Sequence, residues 1–244
     1  MLDTFSFSDD KLAVLPSLKD LILDTKNKQT IIDAFDFSSD KDAAAKILKD
    51  LQPRSCVYGY VTAKRVHFVV DTSGSMAATF TVDGKGTTRL GYVSAQLNAV
   101  IGDQLTAKQS FNVFRFSAGV QPWEKGLMPV TAANIASAES FIGSWSAGGG
   151  TNLYAALQTA YATDAADVLA IYLLTDGTPS VGTTDPATIV AAAAKWSKGK
   201  TIPTHTVAFL EGNDPSDNKP ASRALMQAIA KATGGVYRTM DKSS

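Results

Sequence analysis

The chain has 244 residues, with 23 basic and 23 acidic side chains and a single cysteine, Cys56. This length suffices for one α/β domain with a full hydrophobic core and a smaller appendage, while one cysteine excludes an internal disulfide scaffold. The balanced charge creates no overall field that would attract nucleic acid or an anionic membrane surface, so any partner has to be recognised locally.

Residues 1–56 contain a weak internal repeat. The stretch FSFSDDKLAVL from Phe5 recurs as FDFSSDKDAAAKIL from Phe35, and in each copy apolar residues follow at helical spacing. Ser8 and Ser38 stand where helix N-caps are expected, and the phenylalanines before them are placed to pack back onto the new helix. Two copies are too few for an independent solenoid, so we predict a small helical segment that packs on the rest of the chain.

Residues 57–244 alternate between strand and helix patterns. Short branched apolar runs predict buried parallel strands, and apolar residues at helical spacing predict the helices between them. In chain order, the segments are the strand RVHFVVD, the helix RLGYVSAQLNAVIGDQL, the strand pair SFNVFRFSAGVQPWE, the helices TAANIASAESFIGSW and NLYAALQTAYA, the strand VLAIYLLTDG, the helix PATIVAAAAKWSKG, the strand IPTHTVAFL, the helix SRALMQAIAKATGG and the strand VYRTM. This order predicts an α/β fold with a doubly wound, mostly parallel sheet flanked by helices.

Polar side chains follow three of these segments. Asp71, Ser73 and Ser75 follow the first strand, Thr151 follows the glycine run SAGGG, and Asp176 ends the strand LLTD. Open α/β sheets bind ligands beyond the carboxyl ends of their strands, so we expect these side chains to converge, with the first carboxylate at a solvent-facing strand end. Two carboxylates and three hydroxyls, without histidine or thiolate, suit a hard cation, namely Mg²⁺ with Mn²⁺ or Ca²⁺ as substitutes.

An aspartic protease is the alternative interpretation of the first of these motifs. An apolar strand followed by Asp-Thr and then Ser or Gly is also how that class presents a catalytic aspartate. Such enzymes are all-β and need a second Asp-Thr-Gly or Asp-Ser-Gly, whereas the later candidate in this chain reads TDGTPS at the end of a predicted parallel strand. The α/β order therefore argues against a protease.

The same residues resemble the metal-ion-dependent adhesion site (MIDAS) of the von Willebrand factor type A (VWA) domain. The Asp-x-Ser-Gly-Ser of residues 71–75, Thr151 after a glycine-rich loop and the Thr-Asp-Gly at Asp176 match every position of that site, and the resemblance extends over residues 64–240. It implies a Rossmann-like VWA domain over residues 57–244, in which the two serines and the threonine bind the cation directly. The two aspartates would orient waters, and an open coordination position would accept an acidic side chain from a partner.

Further details of the resemblance concern the branch of the family and the flanking segments. The amino-acid sequence around FNVFRFS and LLTDGTPS is most similar to the inter-alpha-trypsin-inhibitor heavy chains, and the N-terminal repeat resembles a short helical domain of unknown function. Between Met76 and Arg89 the chain inserts AATFTVDGKGTT, in which Asp83-Gly84 predicts a hairpin turn. A surface hairpin is the favoured interpretation, and a flap beside the ion that helps select the partner is the alternative. Trp145 belongs either to the rim of the site or to the core. We expect a ligand-binding rim formed by Met76, Gly149, Gly150, Asn152 and Gly177.

Two functional classes follow, together with a simpler structural role. The three motif loops contain no histidine, lysine, cysteine or glutamate that could act as base or nucleophile, which favours a non-enzymatic adhesion or scaffold module over an enzyme or enzyme subunit with a Lewis-acid cation. A metal that only holds the loops is the third alternative. His67 and His205, inside strands, are expected to be hydrogen-bonded core residues.

The expected partner is a protein or peptide with an acidic residue, bound by a monomer that engages no nucleic acid. The chain shows neither an apolar run of about 20 residues nor the layout of a signal peptide. As written, it is therefore expected to be cytoplasmic and not inserted in a membrane; an extracellular location stays an alternative if the chain is a fragment.

Overall fold

The computed structural model describes residues 8–18, 28–49, 55, 57–165, 167, 170–199, 201–212 and 218–240. The predictions that involve Phe5, Phe7 and Cys56 lie outside these residues. The helices are α1 (Ser8–Leu18), α2 (Lys28–Asp33), α3 (Ser38–Leu48), α4 (Arg89–Ala99), α5 (Ala132–Gly143), α6 (Leu153–Ala162), α7 (Pro186–Trp196) and α8 (Lys219–Thr233). The strands are β1 (Arg65–Asp71), β2 (Thr79–Val82), β3 (Lys85–Thr88), β4 (Ser110–Phe116), β5 (Val120–Pro122), β6 (Met128–Pro129), β7 (Ala170–Thr175), β8 (Thr204–Phe209) and β9 (Tyr237–Met240).

The main sheet has the strand order β5–β4–β1–β7–β8–β9, and the short strand β6 pairs with β4. Strands β1, β4, β7, β8 and β9 are parallel to their neighbours, whereas β5 and β6 run antiparallel to β4. The predicted doubly wound, mostly parallel sheet is confirmed. Strand β6 was not predicted, because a two-residue strand leaves no periodic pattern in the sequence.

Helices cover both faces of this sheet, so alternate residues of each strand enter two different cores. From β1, Phe68 and Val70 join the cluster under α4 and α5, while Val69 joins the cluster under α6, α7 and α8. His67 is also fully buried, and its Nδ1–H donates a 3.0 Å hydrogen bond to the Ala160 carbonyl oxygen, which confirms the prediction of a hydrogen-bonded core histidine. Burial on both faces explains why the strands are continuous apolar runs.

Strand β1 is the topological switch point of the sheet. The chain leaves β1 toward β4 on one side and later returns to β7 on the other, so the connections that follow these strands diverge and leave a crevice at the carboxyl end of β1. In register, Asp71 lies opposite Phe116 of β4, and Val70 lies opposite Leu174 of β7. The polar loop that follows β1 therefore lies at the position where open α/β sheets bind ligands.

The predicted insertion hairpin is confirmed as the antiparallel pair β2–β3. Asp83 and Gly84 both have positive φ angles, of 49° and 74°, as the central residues of a type I′ turn require. Strand β3 ends at Thr88, and α4 begins at the next residue. The hydroxyl of Thr88 caps this helix by accepting a 3.0 Å hydrogen bond from the Gly91 N–H. The hairpin thus sets the position at which α4 begins.

The N-terminal helices share a small core of their own, formed by Leu15, Ile32, Phe35, Ala44 and Leu48. The prediction that Ser38 caps α3 is wrong: Phe37 occupies the N-cap position, without a side-chain hydrogen bond, and Ser38 is already helical. Phe35 is buried as expected, but Phe37 is 66% exposed, so the second phenylalanine does not pack back onto the helix. The boundary after residue 56, and docking of these helices on the α/β domain, stay predictions.

Among the residues that the structure describes, no helix is both long enough and apolar enough to cross a membrane.

Candidate metal centre

The first loop of the candidate site begins where β1 ends in a buried carboxylate. Asp71 is fully buried, which corrects the expectation that this strand end faces solvent. Its Oδ1 accepts a 2.7 Å hydrogen bond from the Ser73 N–H, and its Oδ2 accepts one from the Thr175 hydroxyl at the end of β7. Because Asp71 faces its own loop and the neighbouring strand, it tightens the turn and joins two strand ends.

The serines and the second aspartate form a continuous chain of oxygen atoms. The hydroxyls of Ser73 and Ser75 lie 3.2 Å apart, and the Ser75 hydroxyl donates a 2.8 Å hydrogen bond to Oδ1 of Asp176. A short 3₁₀ turn, Gly74–Ala77, bends the chain directly after Ser73, so the two serine side chains face the same side. The structure therefore brings together loops that are about a hundred residues apart in sequence.

The glycine-rich loop is hydrogen-bonded to the first loop through backbone groups. The Gly74 N–H donates to the Gly149 carbonyl at 3.0 Å, and the Gly148 N–H donates to the Thr72 carbonyl at 2.9 Å. Gly149 has a φ of 79°, a conformation that favours glycine. Thr151 follows as a buried residue, whose N–H donates a 2.8 Å hydrogen bond to the Ser180 hydroxyl.

Arg89 is a member of this network that the sequence analysis did not identify. It is the first residue of α4 and is fully buried, and its Nη1 donates a 2.7 Å hydrogen bond to Oδ2 of Asp176. Its Nε donates to the Glu211 carbonyl at 2.6 Å, and Nη1 also reaches the Ser75 carbonyl at 3.4 Å. The position of Arg89 at the start of a predicted helix could have identified it, because a basic residue is unfavourable in the first turn of a helix unless a specific partner compensates its charge.

The electrostatics of the centre leave one negative charge uncompensated when all groups are ionised. Arg89 neutralises Asp176, whereas Asp71 has no ion-pair partner of its own among the described residues. Burial, and then the charge of Asp176, raise the pKa of Asp71 to about 7, against the hydrogen bonds from Thr175 and Ser73 that lower it. A nearby cation would favour the ionised form of Asp71.

The expected rim residues differ in whether a ligand can reach them. Met76 is fully buried in the hydrophobic core, so its expected place on the rim is wrong; the 3₁₀ turn directs its side chain inward. Gly149 is exposed, while Gly150 and Gly177 are half-buried. Asn152 is also half-buried, but its side chain caps α6 by accepting a 3.2 Å hydrogen bond from the Ala155 N–H.

The residues present fit a hard divalent cation. Hydroxyl and carboxylate oxygens are the ligands that Mg²⁺, Mn²⁺ and Ca²⁺ take in proteins, and here Ser73, Ser75 and Asp176 already present them within hydrogen-bonding distance of one another. In the described parts of the chain, no group of three or more histidine, cysteine, aspartate or glutamate side chains is placed to hold a metal ion. Hydroxyls therefore outnumber carboxylates among the candidate ligands of this centre.

Comparison with known families agrees with this arrangement. A model of the von Willebrand factor type A domain matches residues 64–239, a range that contains every loop of the candidate centre. The chain belongs to this family. A second model, for a domain of unknown function (DUF4476), matches residues 1–48, outside the VWA domain.

Curated relatives share the VWA region but are much longer proteins. The von Willebrand factor A domain-containing protein 3B of Homo sapiens is 29% identical over 181 residues, which are 74% of this chain and 12% of that protein. The inter-alpha-trypsin inhibitor heavy chain H4 of Homo sapiens is 34% identical over 136 residues, which are 52% of this chain and 14% of that protein. The chain thus spans a small fraction of the length of these relatives.

Solved structures support the VWA fold. A von Willebrand factor type A protein from Catenulispora acidiphila superposes with a TM-score of 0.58 at 20% identity, over 78% of this chain and 43% of that one. Proximal thread matrix protein 1 from the mussel byssus, in a form with a zinc-occupied MIDAS motif, superposes with a TM-score of 0.51 at 18% identity, over 82% and 47%. At these identities the similarity concerns the fold alone.

Proposed function

We propose that this chain is a non-catalytic protein-binding module, of the adhesion or scaffold type, whose MIDAS uses Mg²⁺ to bridge to a carboxylate of a partner. VWA-domain proteins are typically interaction or adhesion modules. The observation that carries the finer proposal is the oxygen chain from Ser73 through Ser75 to Asp176 at the switch point of the sheet. When bound, the cation supplies an electrophilic position for an anionic oxygen.

The five candidate residues are proposed to hold the ion in two ways, either directly or through water. Ser73, Ser75 and Thr151 are proposed as direct ligands, and Asp71 and Asp176 as carboxylates that orient waters. Asp71 also holds the first loop through the Ser73 N–H, so loss of this carboxylate would disturb both charge and geometry. Because the direct ligands are neutral, the ion would keep much of its charge for an incoming Asp or Glu.

The choice of Mg²⁺ follows from the oxygen ligands and the small number of charges. Mn²⁺ and Ca²⁺ accept the same ligand types at different distances and are proposed as substitutes. Zinc belongs in any metal series, since a mussel protein of the same fold carries it at this motif. A ranking by calorimetry, with each metal added to the metal-free protein, would therefore test the assignment directly.

The absence of catalysis is proposed from the chemistry of the groups that face the centre. Arg89 is the basic residue of the network, and a guanidinium remains protonated in proteins, so it cannot act as a general base. Asp71 is fully buried and accepts hydrogen bonds from Ser73 and Thr175, so it is held in place as part of the loop structure. This arrangement suits binding through the ion rather than proton transfer.

The decisive experiment selects ligands without assuming a partner. A displayed random-peptide library is panned on the immobilised chain in Mg²⁺, and bound peptides are released with EDTA. We expect the released peptides to share an Asp or Glu, and their binding to disappear when that residue is changed to Asn or Gln. Ser73→Ala should abolish selection, while Ser140→Ala, which changes an exposed serine on α5, should not.

Either of two results would overturn the proposal. One is the absence of Mg²⁺ binding by calorimetry in the native chain. The other is a set of peptides that bind equally well in EDTA and to the Ser73→Ala variant, because another face of the domain would then be the binding surface.

A further inference from the structure

Both carboxylate oxygens of Asp176 are engaged by side chains of the chain itself. Oδ1 accepts a 2.8 Å hydrogen bond from the Ser75 hydroxyl, and Oδ2 accepts a 2.7 Å hydrogen bond from Nη1 of Arg89. Neither side chain of the Arg89–Asp176 ion pair has exposed surface, so water does not compete for this contact. Oδ1 is therefore the oxygen on the serine side of the carboxylate, and Oδ2 is held on the arginine side.

Arg89 is itself fixed by backbone groups on several sides. Its Nε donates a 2.6 Å hydrogen bond to the Glu211 carbonyl, and Nη2 reaches the Gly212 carbonyl at 3.4 Å. Nη1, which binds Asp176, also reaches the Ser75 carbonyl at 3.4 Å. Because a guanidinium is planar and rigid, contacts at Nε and Nη2 determine where Nη1 points. The segment that follows β8 thus sets the position of the guanidinium, and through it the position of Oδ2.

The restraint on Asp176 limits what this carboxylate can offer to a divalent cation. A carboxylate that is free to turn can supply one or both of its oxygens as direct ligands. Each negative oxygen that the chain supplies directly fills a coordination position and lowers the charge that remains for an anionic oxygen of a partner. A carboxylate whose second oxygen is paired with a buried guanidinium is not free to turn in this way, because turning would break the ion pair.

We infer that Arg89 is the positioning residue that keeps Asp176 from binding the cation directly, and so reserves a coordination position for the carboxylate of the partner. The inference rests on the proposed function of the metal centre. Arg89 acts through Asp176, so its removal should change two affinities in opposite directions: the cation binds more tightly, because Asp176 becomes a direct ligand, and a carboxylate ligand binds more weakly. A general distortion of the loops would weaken both.

The first test uses the full chain with Mn²⁺, a paramagnetic substitute for Mg²⁺, and acetate as the simplest carboxylate probe. Electron paramagnetic resonance of free Mn²⁺ measures metal affinity, and relaxation of the acetate methyl protons measures acetate affinity. In Arg89→Met, we expect Mn²⁺ to bind at least about tenfold more tightly and acetate at least about tenfold more weakly than in the native chain. Water-proton relaxation by the bound Mn²⁺ should also decrease, because an Asp176 oxygen takes the place of a water.

The second test separates the position of the guanidinium from its charge. A lysine at position 89 keeps the positive charge, but its ammonium ends one atom short of Nη1 and has no planar fork to hold Oδ2. Arg89→Lys should therefore shift both affinities in the same directions as Arg89→Met, by at least about threefold each, and should also decrease water-proton relaxation. The matched control is Arg65→Lys, in a 3.4 Å ion pair on the surface, which should change none of these quantities. Arg89→Lys decides the outcome if circular dichroism shows that Arg89→Met is unfolded.

The results separate this inference from the proposed function. If the native chain binds Mn²⁺ and acetate and Arg89→Lys matches it in both affinities, only the charge of Arg89 matters; the inference is then wrong and the proposed function stands. The same conclusion follows if both affinities fall together, or if water-proton relaxation is unchanged in the two Arg89 variants. A native chain that binds the metal but neither acetate nor acidic peptides, or that binds no metal, would overturn both proposals.

Discussion

Removal of the Arg89 guanidinium should destabilise the metal-free protein and increase its response to Mg²⁺. In Arg89→Met, the carboxylate of Asp176 loses its 2.7 Å ion pair while it remains fully buried beside Asp71. The carbonyl of Glu211 loses its 2.6 Å donor as well. Breaking a buried pair from one side costs about 3–5 kcal/mol. For a domain of this size, a loss of about 4 kcal/mol lowers Tm by about 8–16 °C.

Bound Mg²⁺ should compensate part of this loss. With Arg89 absent, Asp71 and Asp176 leave two negative charges at the centre instead of one, so the cation binds the folded variant more tightly than it binds the native protein. A ligand that binds only the folded state raises stability according to its affinity, so the increase in Tm on adding Mg²⁺ should be larger in Arg89→Met. Arg89→Lys, which keeps the charge but loses the planar fork, should fall between the two proteins.

The assay is urea and thermal unfolding of each protein in EDTA and in excess Mg²⁺. The matched control is Arg65→Met, because Arg65 forms a 3.4 Å ion pair with Asp167 on the surface, where the two side chains are 47% and 63% exposed. Such a surface pair contributes about 1 kcal/mol or less. The reasoning is refuted if Arg89→Met is no less stable than Arg65→Met in EDTA, or if Mg²⁺ stabilises it less than the native protein.

Three further predictions concern the carboxylate, the pH dependence and the glycine-rich loop. Asp71→Asn should lose Mg²⁺ binding by calorimetry, yet be more stable than the native chain in EDTA at pH 8. The pKa of Asp71 is about 7 in the folded state, above its ordinary value of 3.8. The protonated carboxyl group therefore stabilises the folded state fully below about pH 4, and this stabilisation is lost as the pH rises through 7. A variant that is less stable than the native chain at pH 8 would contradict this. Burial lowers the pKa of His67 to about 4 from 6.5. The neutral imidazole therefore contributes its full stabilisation of the fold above pH 6.5, and this contribution is lost as the pH falls toward 4. In acid titrations followed by circular dichroism, His67→Phe should lose less stability than the native chain over that interval. Gly149→Ala places a Cβ at a φ of 79° and should cost about 1–2 kcal/mol in urea unfolding, with weaker Mg²⁺ binding, whereas Gly143→Ala at the end of α5, where an added Cβ meets open space, should be nearly neutral.

The order of elements and the types of ligand could be predicted from the sequence, for a physical reason. A strand buried on both faces is a continuous apolar run, and a helix repeats its apolar residues every three or four positions, so both leave local patterns. Parallel strands bring their carboxyl ends to one edge, so motifs after β1 and β7 were expected to meet, and Ser75 and Asp176 do. The Asp83-Gly84 turn was predictable as well, because positive φ angles at both residues restrict their identity.

The direction and partners of individual side chains were decided only by tertiary structure. Arg89 meets Asp176 across 87 positions of sequence, a contact that depends on where the hairpin starts α4 relative to the end of β7. The 3₁₀ turn that aligns the serines also turns Met76 into the core, and no periodic pattern marks a turn of four residues. Phe35 and Phe37 belong to the same Phe-x-Phe pair, yet Phe35 is buried in the small core of the N-terminal helices while Phe37 is exposed, a difference that depends on how these helices pack.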